Sequence, residues 1–104
     1  MKRVLAIIIG VSILMLSATS AFAQMTAKDH FNRGNDYYEQ GDYEKALASY
    51  KEAIRIKPDD VDAHGKLGLA YANLNRYDEA LVSFKESIRI KNVTTILTTV
   101  IVVR

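Results

Sequence analysis

The chain has 104 residues, with 14 Lys and Arg, 12 Asp and Glu, no Cys and no Trp. This length suits one small domain, and a composition of 49% hydrophobic and 25% charged residues excludes a disordered or collagen-like chain. Because there is no Cys, disulfides, thiolate metal sites and a cysteine nucleophile are excluded, and stability must come from packing or from partners.

The first 23 residues have the pattern of a secretory signal peptide. Lys2 and Arg3 precede an apolar run at residues 4–16, and residues 21–23 read Ala-Phe-Ala, a typical cleavage pattern. We predict removal of this segment and export to the periplasm or the cell exterior. The alternative is a membrane anchor, because residues 4–23 are uncharged and about 20 residues can span a bilayer. The small and hydroxylic residues at the end of this stretch favour cleavage.

Charge gives no case for nucleic-acid binding. Removal of residues 1–23 leaves 12 basic and 12 acidic residues, so the mature net charge is zero with both His neutral. The most basic stretch contains Lys51, Arg55 and Lys57, which alternate with acidic and apolar residues as on a solvated helix face. Nucleic-acid binding needs a clustered basic surface, so we predict no such partner.

The next segments of the chain read as helices. Residues 27–40 and 61–74 have helical periodicity that is interrupted by Gly34, Gly65 and Gly68. A glycine inside a helix costs about 1 kcal/mol relative to Ala. These glycines therefore predict places where another backbone approaches closely.

Each of these helices is followed by a second helix that is strongly amphipathic. Residues 43–57 and 77–91 contain no Gly or Pro, and their apolar residues recur every three or four positions. In the short turns that join the helices, Gly41 and Asn75 suit the left-handed conformation that ends a helix. The sequence therefore predicts an all-α fold of two antiparallel helical hairpins.

The last segment, residues 93–104, changes in chemistry and is dominated by β-branched residues. It is too short to span a membrane as a helix, and its low charge and lack of Pro are typical of an aggregation-prone strand. Three interpretations stay open: a strand or irregular cap on the last helix, a segment that pairs with another chain, or the remnant of a longer repeat array.

The two hairpins are an internal repeat. Residues 27–57 and 61–91, offset by 34, are identical at 13 of 31 positions, and ten of the 13 lie in the second helices. Unrelated sequences would share about two by composition.

This 34-residue unit resembles the tetratricopeptide repeat family. The matching residues are the small Gly34, Gly68, Ala46 and Ala80, the aromatic Tyr37, Tyr71, Tyr50 and Phe84, and Pro58, which closes the first unit. Departures are His30 and His64, where the family often has Trp, and Asn92, which replaces the second closing Pro. The resemblance implies two repeats at about 27–60 and 61–92, within a domain of residues 24–92 that forms a fragment of an α-solenoid.

The resemblance also implies a protein-binding module, because first helices of this family line a groove for peptides or partner segments. Aromatic rings there can anchor a side chain, and amides can bond an extended backbone. The groove positions that we expect to contact a protein or peptide partner are Lys28, Phe31, Asn32, Asn35, Tyr38, Lys66, Leu69 and Asn73. The alternative function is assembly: Leu81, Phe84 and Ile88 would help to pack the second hairpin, but without a third unit part of the apolar surface of their helix would stay open for self-association.

Nothing in the sequence favours an enzyme, a metal site or a cofactor. His30 and His64 occupy equivalent positions, but a catalytic zinc site needs three protein ligands. The acidic residues 59–62 lack the pattern of a calcium loop, and an Asp there is expected to cap the helix that begins near Val61. We therefore predict a non-catalytic protein without cofactors.

Overall fold

A computed structural model describes residues 25–103, and these form four α-helices. Their bounds are α1, Ala27–Glu39; α2, Tyr43–Ile56; α3, Val61–Asn73; and α4, Tyr77–Val103. Helices that follow one another in sequence pack together, which gives two hairpins joined through α2 and α3. The prediction of an all-α fold built from two helical hairpins is confirmed. The predicted signal peptide lies outside the described residues.

Side-chain caps and left-handed residues fix where the helices begin and end. Thr26 and Asp29 form a reciprocal capping box at the start of α1, and Asp42 accepts from the Lys45 amide at the start of α2. Asp60 accepts from two amides at the start of α3, as the sequence predicts. The turns contain Gly41, with φ of 78°, and Asn75, with φ of 59°. Both residues therefore have the predicted left-handed conformation.

The core lies between the two hairpins and is dominated by a tyrosine. Tyr50 is the largest side chain that is fully buried. Small residues around it let the helices approach closely, since Ala46 is 0% and Ala80 only 4% exposed. The buried cluster consists of Ala46, Leu47, Tyr50, Leu67, Ala70, Tyr71 and Ala80.

Aromatic rings occupy the space that two helix glycines leave. A Cβ added to Gly34 would lie 2.5 Å from the Tyr50 ring, and one added to Gly68 would lie 2.7 Å from the Phe84 ring. Close approach is therefore confirmed at these two positions, but the partner is a ring of the second helix and not a backbone. At Gly65 the prediction of close approach is wrong, because the nearest atom to an added Cβ is the Ser87 Oγ, at 3.8 Å.

The two kinds of glycine are expected to respond differently to alanine. Both Gly34→Ala and Gly65→Ala gain helix propensity, but only Gly34→Ala forces the Tyr50 ring to move. Overpacking of this kind costs about 1 to 3 kcal/mol. We expect the unfolding free energies of the two variants, measured with urea, to differ by about that amount, with Gly65→Ala the more stable. Equal stabilities would contradict this account of the core.

The β-branched residues 93–103 belong to α4, so the first of the three interpretations, a strand or irregular cap, is wrong. Each residue that extends an existing helix gains one backbone hydrogen bond without a new nucleation step, and no Gly or Pro follows the second repeat to stop the extension. The hydroxyls of Thr94, Thr95, Thr98 and Thr99 donate to the carbonyls four residues earlier, so their polar groups are satisfied within the helix. Within residues 25–103, no helix combines the length and apolar character that membrane crossing requires.

Candidate partner-binding groove

A groove runs between α1 and α3, and residues of α4 form its floor. It contains a cavity of about 470 Å³, which lies in the size range of ligand pockets. The cavity is lined by Phe31, Asn35, Val61, Asp62, Gly65, Lys66, Leu69, Phe84 and Ser87. Four of the eight predicted partner-binding residues, Phe31, Asn35, Lys66 and Leu69, thus line one cavity.

The cavity depends on one difference between the two repeats, at the aligned positions of Phe31 and Gly65. In the first repeat, the half-buried ring of Phe31 packs on Tyr50, with 5.7 Å between ring centroids. The equivalent pair in the second repeat is Gly65 and Phe84, so the ring of Phe84 has no such cover. The space that Phe31 fills in the first repeat is therefore open to the groove in the second.

A hydrogen bond links the groove to the core. The Tyr50 hydroxyl donates to the Asn35 Oδ1 at 2.7 Å, and Tyr50 itself is fully buried. Burial raises the pKa of this hydroxyl to about 12, and the neighbouring Tyr38 and Glu39 add to the rise. Because Oδ1 of Asn35 accepts this bond, the Nδ2 of the same amide is left to donate into the groove.

The C-terminal ends of α1 and α3 meet in a second group of predicted residues. Asn73 donates through Nδ2 to the Tyr38 hydroxyl and to the Leu69 carbonyl, each at 2.9 Å. The ammonium of Lys66 lies 5.8 Å from the centroid of the Tyr38 ring, within range of a cation–π contact. Tyr38 is half-buried and also packs edge-on against Tyr43, with centroids 5.2 Å apart. These contacts place Lys66 between the cavity and this group.

The remaining two predicted residues, Lys28 and Asn32, are exposed on α1 and are not part of the cavity lining. Conversely, Val61, Phe84 and Ser87 line the cavity but were not predicted. The sequence does contain a signal for them. At an offset of 34 residues, Gly65 aligns with Phe31, and no larger side chain nearby makes up for the lost volume. A loss of volume at an aligned position is a sign of a cavity.

A second cavity, of about 520 Å³, lies elsewhere on α3 and α4 and is rich in acidic residues. It is lined by His64, Leu67, Tyr71, Asp78, Glu79, Val82, Ser83 and Glu86. Hydrogen bonds from Arg76 lower the pKa of Glu79 below its usual range. His64 bonds the Pro58 carbonyl through Nε2 at 2.9 Å. Within residues 25–103, no three His, Cys, Asp or Glu side chains gather as metal ligands would.

One face of α4 is exposed where the equivalent face of α2 is buried. Leu81 is 52% exposed, whereas its counterpart Leu47, covered in the core between the hairpins, is only 3% exposed. Ile88 and Tyr77 on the same side of α4 are also exposed, at 59% and 65%. We call Tyr77, Leu81 and Ile88 the open face; Phe84, which the sequence grouped with Leu81 and Ile88, is partly buried against the core and lines the groove cavity instead.

Two family models match the hairpins. The one described as "TPR repeat" matches residues 34–75, and the one described as "Tetratricopeptide repeat" matches residues 61–91. Together they cover both repeats from Gly34 to Lys91.

Curated relatives and solved structures share part of the chain. The Hsp70-Hsp90 organising protein of Plasmodium falciparum (isolate 3D7) is 39% identical over 39% of this chain and 7% of its own length. The protein O-mannosyl-transferase Tmtc3 of Drosophila melanogaster is 40% identical over 49% of this chain and 6% of its own length. A crystal structure of MamA superimposes with a TM-score of 0.68 and 29% identity, covering 72% of this chain and 44% of MamA. The chain thus spans less than half of each of these proteins.

Proposed function

Because the chain belongs to the tetratricopeptide repeat family, whose repeats generally mediate protein–protein interaction, we propose that it binds an extended segment of a partner protein in the groove between α1 and α3. The observation that carries this proposal is the cavity of about 470 Å³, which gathers Phe31, Asn35, Lys66 and Leu69. The relative whose name describes it as an organising protein for Hsp70 and Hsp90 supports protein partners. We further propose that the protein acts without catalysis.

The polar groups of the groove suit an extended backbone, which offers both C=O and N–H groups. Asn35 accepts from Tyr50 through Oδ1, so its Nδ2 can donate to a partner carbonyl. Asn73 donates through Nδ2 to Tyr38 and Leu69, so its Oδ1 can accept from a partner N–H. The two amides are thus oriented by intramolecular bonds for opposite roles, while Phe31 and Leu69 offer apolar contact between them.

The test is selection of binding peptides from a random display library on the mature protein. We expect the Asn35→Ala variant to bind the selected peptides about 2- to 10-fold more weakly, the effect of one lost hydrogen bond. Tyr50→Phe is the matched control for the lost internal bond, because it keeps the Asn35 amide. Glu86→Gln, in the acidic cavity, controls for binding elsewhere. Peptides that bind Asn35→Ala as tightly as the wild type would contradict binding in the groove.

A second function, assembly through self-association, is favoured by the open face of α4. Leu47, the counterpart of Leu81 in α2, is buried in the core with residues of α3, so the open face has the chemistry of a helix-packing surface. We propose that it associates with a second copy of the chain. Export, which residues 1–23 predict, stays a prediction, as does the alternative of an N-terminal anchor.

A further inference from the structure

The cavity beside Gly65 has an internal template within the same chain. In the first repeat, the equivalent space is filled by the Phe31 ring, which rests on Tyr50. In the second repeat, Gly65 carries no side chain, and an added Cβ would meet only the Ser87 Oγ, at 3.8 Å. The second repeat therefore has the floor of an aromatic packing site without the ring that covers it.

We propose that the Gly65 cavity is a specificity pocket for one aromatic side chain of the bound partner segment. The inference rests on the proposed function, because it names the residue type that the groove selects. An entering ring would lie on Phe84 as Phe31 lies on Tyr50, with Phe31 and Leu69 as its walls. The partner would thereby supply the ring-on-ring contact that Phe31 and Tyr50 make within the first repeat.

The polarity of the pocket matches a neutral and largely apolar side chain. The hydroxyl of Ser87 at its floor already donates to the Val61 carbonyl at 3.0 Å, so it does not demand a polar ligand. Lys66 and Asp62 at the lining carry opposite charges, so neither sign of ligand is favoured overall. The Lys66 ammonium also lies close enough to one ring, that of Tyr38, to favour aromatic neighbours.

The test uses two capped pentapeptides, Ac-Gly-Ser-Phe-Ser-Gly-NH₂ and the same peptide with Ala in place of Phe. Titration of the ¹⁵N-labelled mature protein is followed through the amide resonances of Gly65 and Leu69. Since a single buried side chain contributes little affinity, we expect a dissociation constant on the order of 10 mM for the Phe peptide. The Ala peptide is expected to give no saturable shift. Equal shifts with both peptides, or none with either, would overturn the pocket.

Two variants at one position separate filling the pocket from changing the helix. Gly65→Phe is expected to abolish the response to the Phe peptide, because its own ring would occupy the site as Phe31 does in the first repeat. Gly65→Ala raises helix propensity without filling the space, and we expect it to keep the response. Both variants are expected to raise the melting temperature by several degrees. With such a rise, a loss of binding could not come from unfolding. Retained binding in Gly65→Phe would overturn the proposal.

The same variants distinguish failure of this inference from failure of the proposed function. If display-selected peptides bind through Asn35 but are unaffected by Gly65→Phe, the groove binds partners and the aromatic pocket is wrong. If neither substitution affects any bound peptide, binding in the groove is itself wrong, and the pocket falls with it.

Discussion

Tyr50→Ala is expected to unfold the protein at room temperature. Truncation of a fully buried aromatic side chain costs about 3 to 5 kcal/mol, and small domains have about 5 kcal/mol or little more in total. Here the loss is at the upper end, because the Tyr50 ring also fills the space above Gly34 and supports Phe31. The measurement is helical circular dichroism with a urea titration. A cooperative transition at wild-type urea concentration would contradict the central role of this ring.

Tyr50→Phe is the matched control, because Phe84 shows that a ring without a hydroxyl fits the equivalent position. It loses the bond to Asn35, which costs about 0.5 to 1.5 kcal/mol. The folded pKa of Tyr50 is raised to about 12 from 10.0, so its ionisation favours the unfolded state. The stability that the neutral Tyr50 hydroxyl contributes to the folded state is fully present below pH 10 and is lost as pH rises from about 10 to about 12. Tyr50→Phe is expected to remove this part of the alkaline loss of stability.

The double variant Leu81→Glu with Ile88→Glu is expected to be monomeric and so to lose the self-association that we propose for the wild-type protein. Each apolar side chain that packs in an interface contributes about 1.5 to 3 kcal/mol, so loss of two per copy weakens association by more than about 100-fold. The measurement is sedimentation equilibrium over a range of concentrations. Val82→Glu is the control, since Val82 is 68% exposed and lines the acidic cavity instead of the open face.

The dimer that we propose is expected to be face to face and closed. In a head-to-tail arrangement, α1 of one copy would pack against α4 of another, in the same way that α3 packs against α2 within the chain. In α1, however, Arg33 and Asp36 stand at the positions of Leu67 and Ala70, which are buried in α3. Both α1 residues are exposed and polar, so α1 is a poor cover for an apolar face. A mass that grows without limit with concentration would contradict the closed arrangement. A wild-type monomer would contradict self-association itself.

The repeat region was predictable because several local signals agree with its fold. Asp60 as a cap, Gly41 and Asn75 in the turns, and the 3.6-residue pattern all point to the same hairpins. The helical structure of the tail could not be predicted, because two signals disagree. The β propensity of its residues favours a strand, whereas the absence of a stop signal favours continuation of α4. Cooperative extension of an existing helix outweighs the weak preference of Val, Ile and Thr.

Half of the predicted site residues line the cavity because helical periodicity decides which side of α1 and α3 faces the groove. The lining residues that this periodicity did not predict depend on how side chains of different helices fill the space between them. Phe84 and Ser87 belong to the second hairpin helix, and they reach the groove only because Gly65 leaves space above them. For the same reason Gly34 and Gly65 look alike in sequence but differ in environment.

The long α4 has a further consequence for how the molecule opens. Its first part is held by the core, with Ala80 and Ser83 buried, whereas residues 91–103 are all exposed. A helix segment of this length that packs on nothing is marginal in water, so we expect residues 91–103 to open locally more often than the whole protein unfolds. We therefore expect amide protons of residues 91–103 to exchange faster than those of the part of α4 that packs on the core. A partner that binds the helical form of residues 91–103 would be expected to slow this local opening.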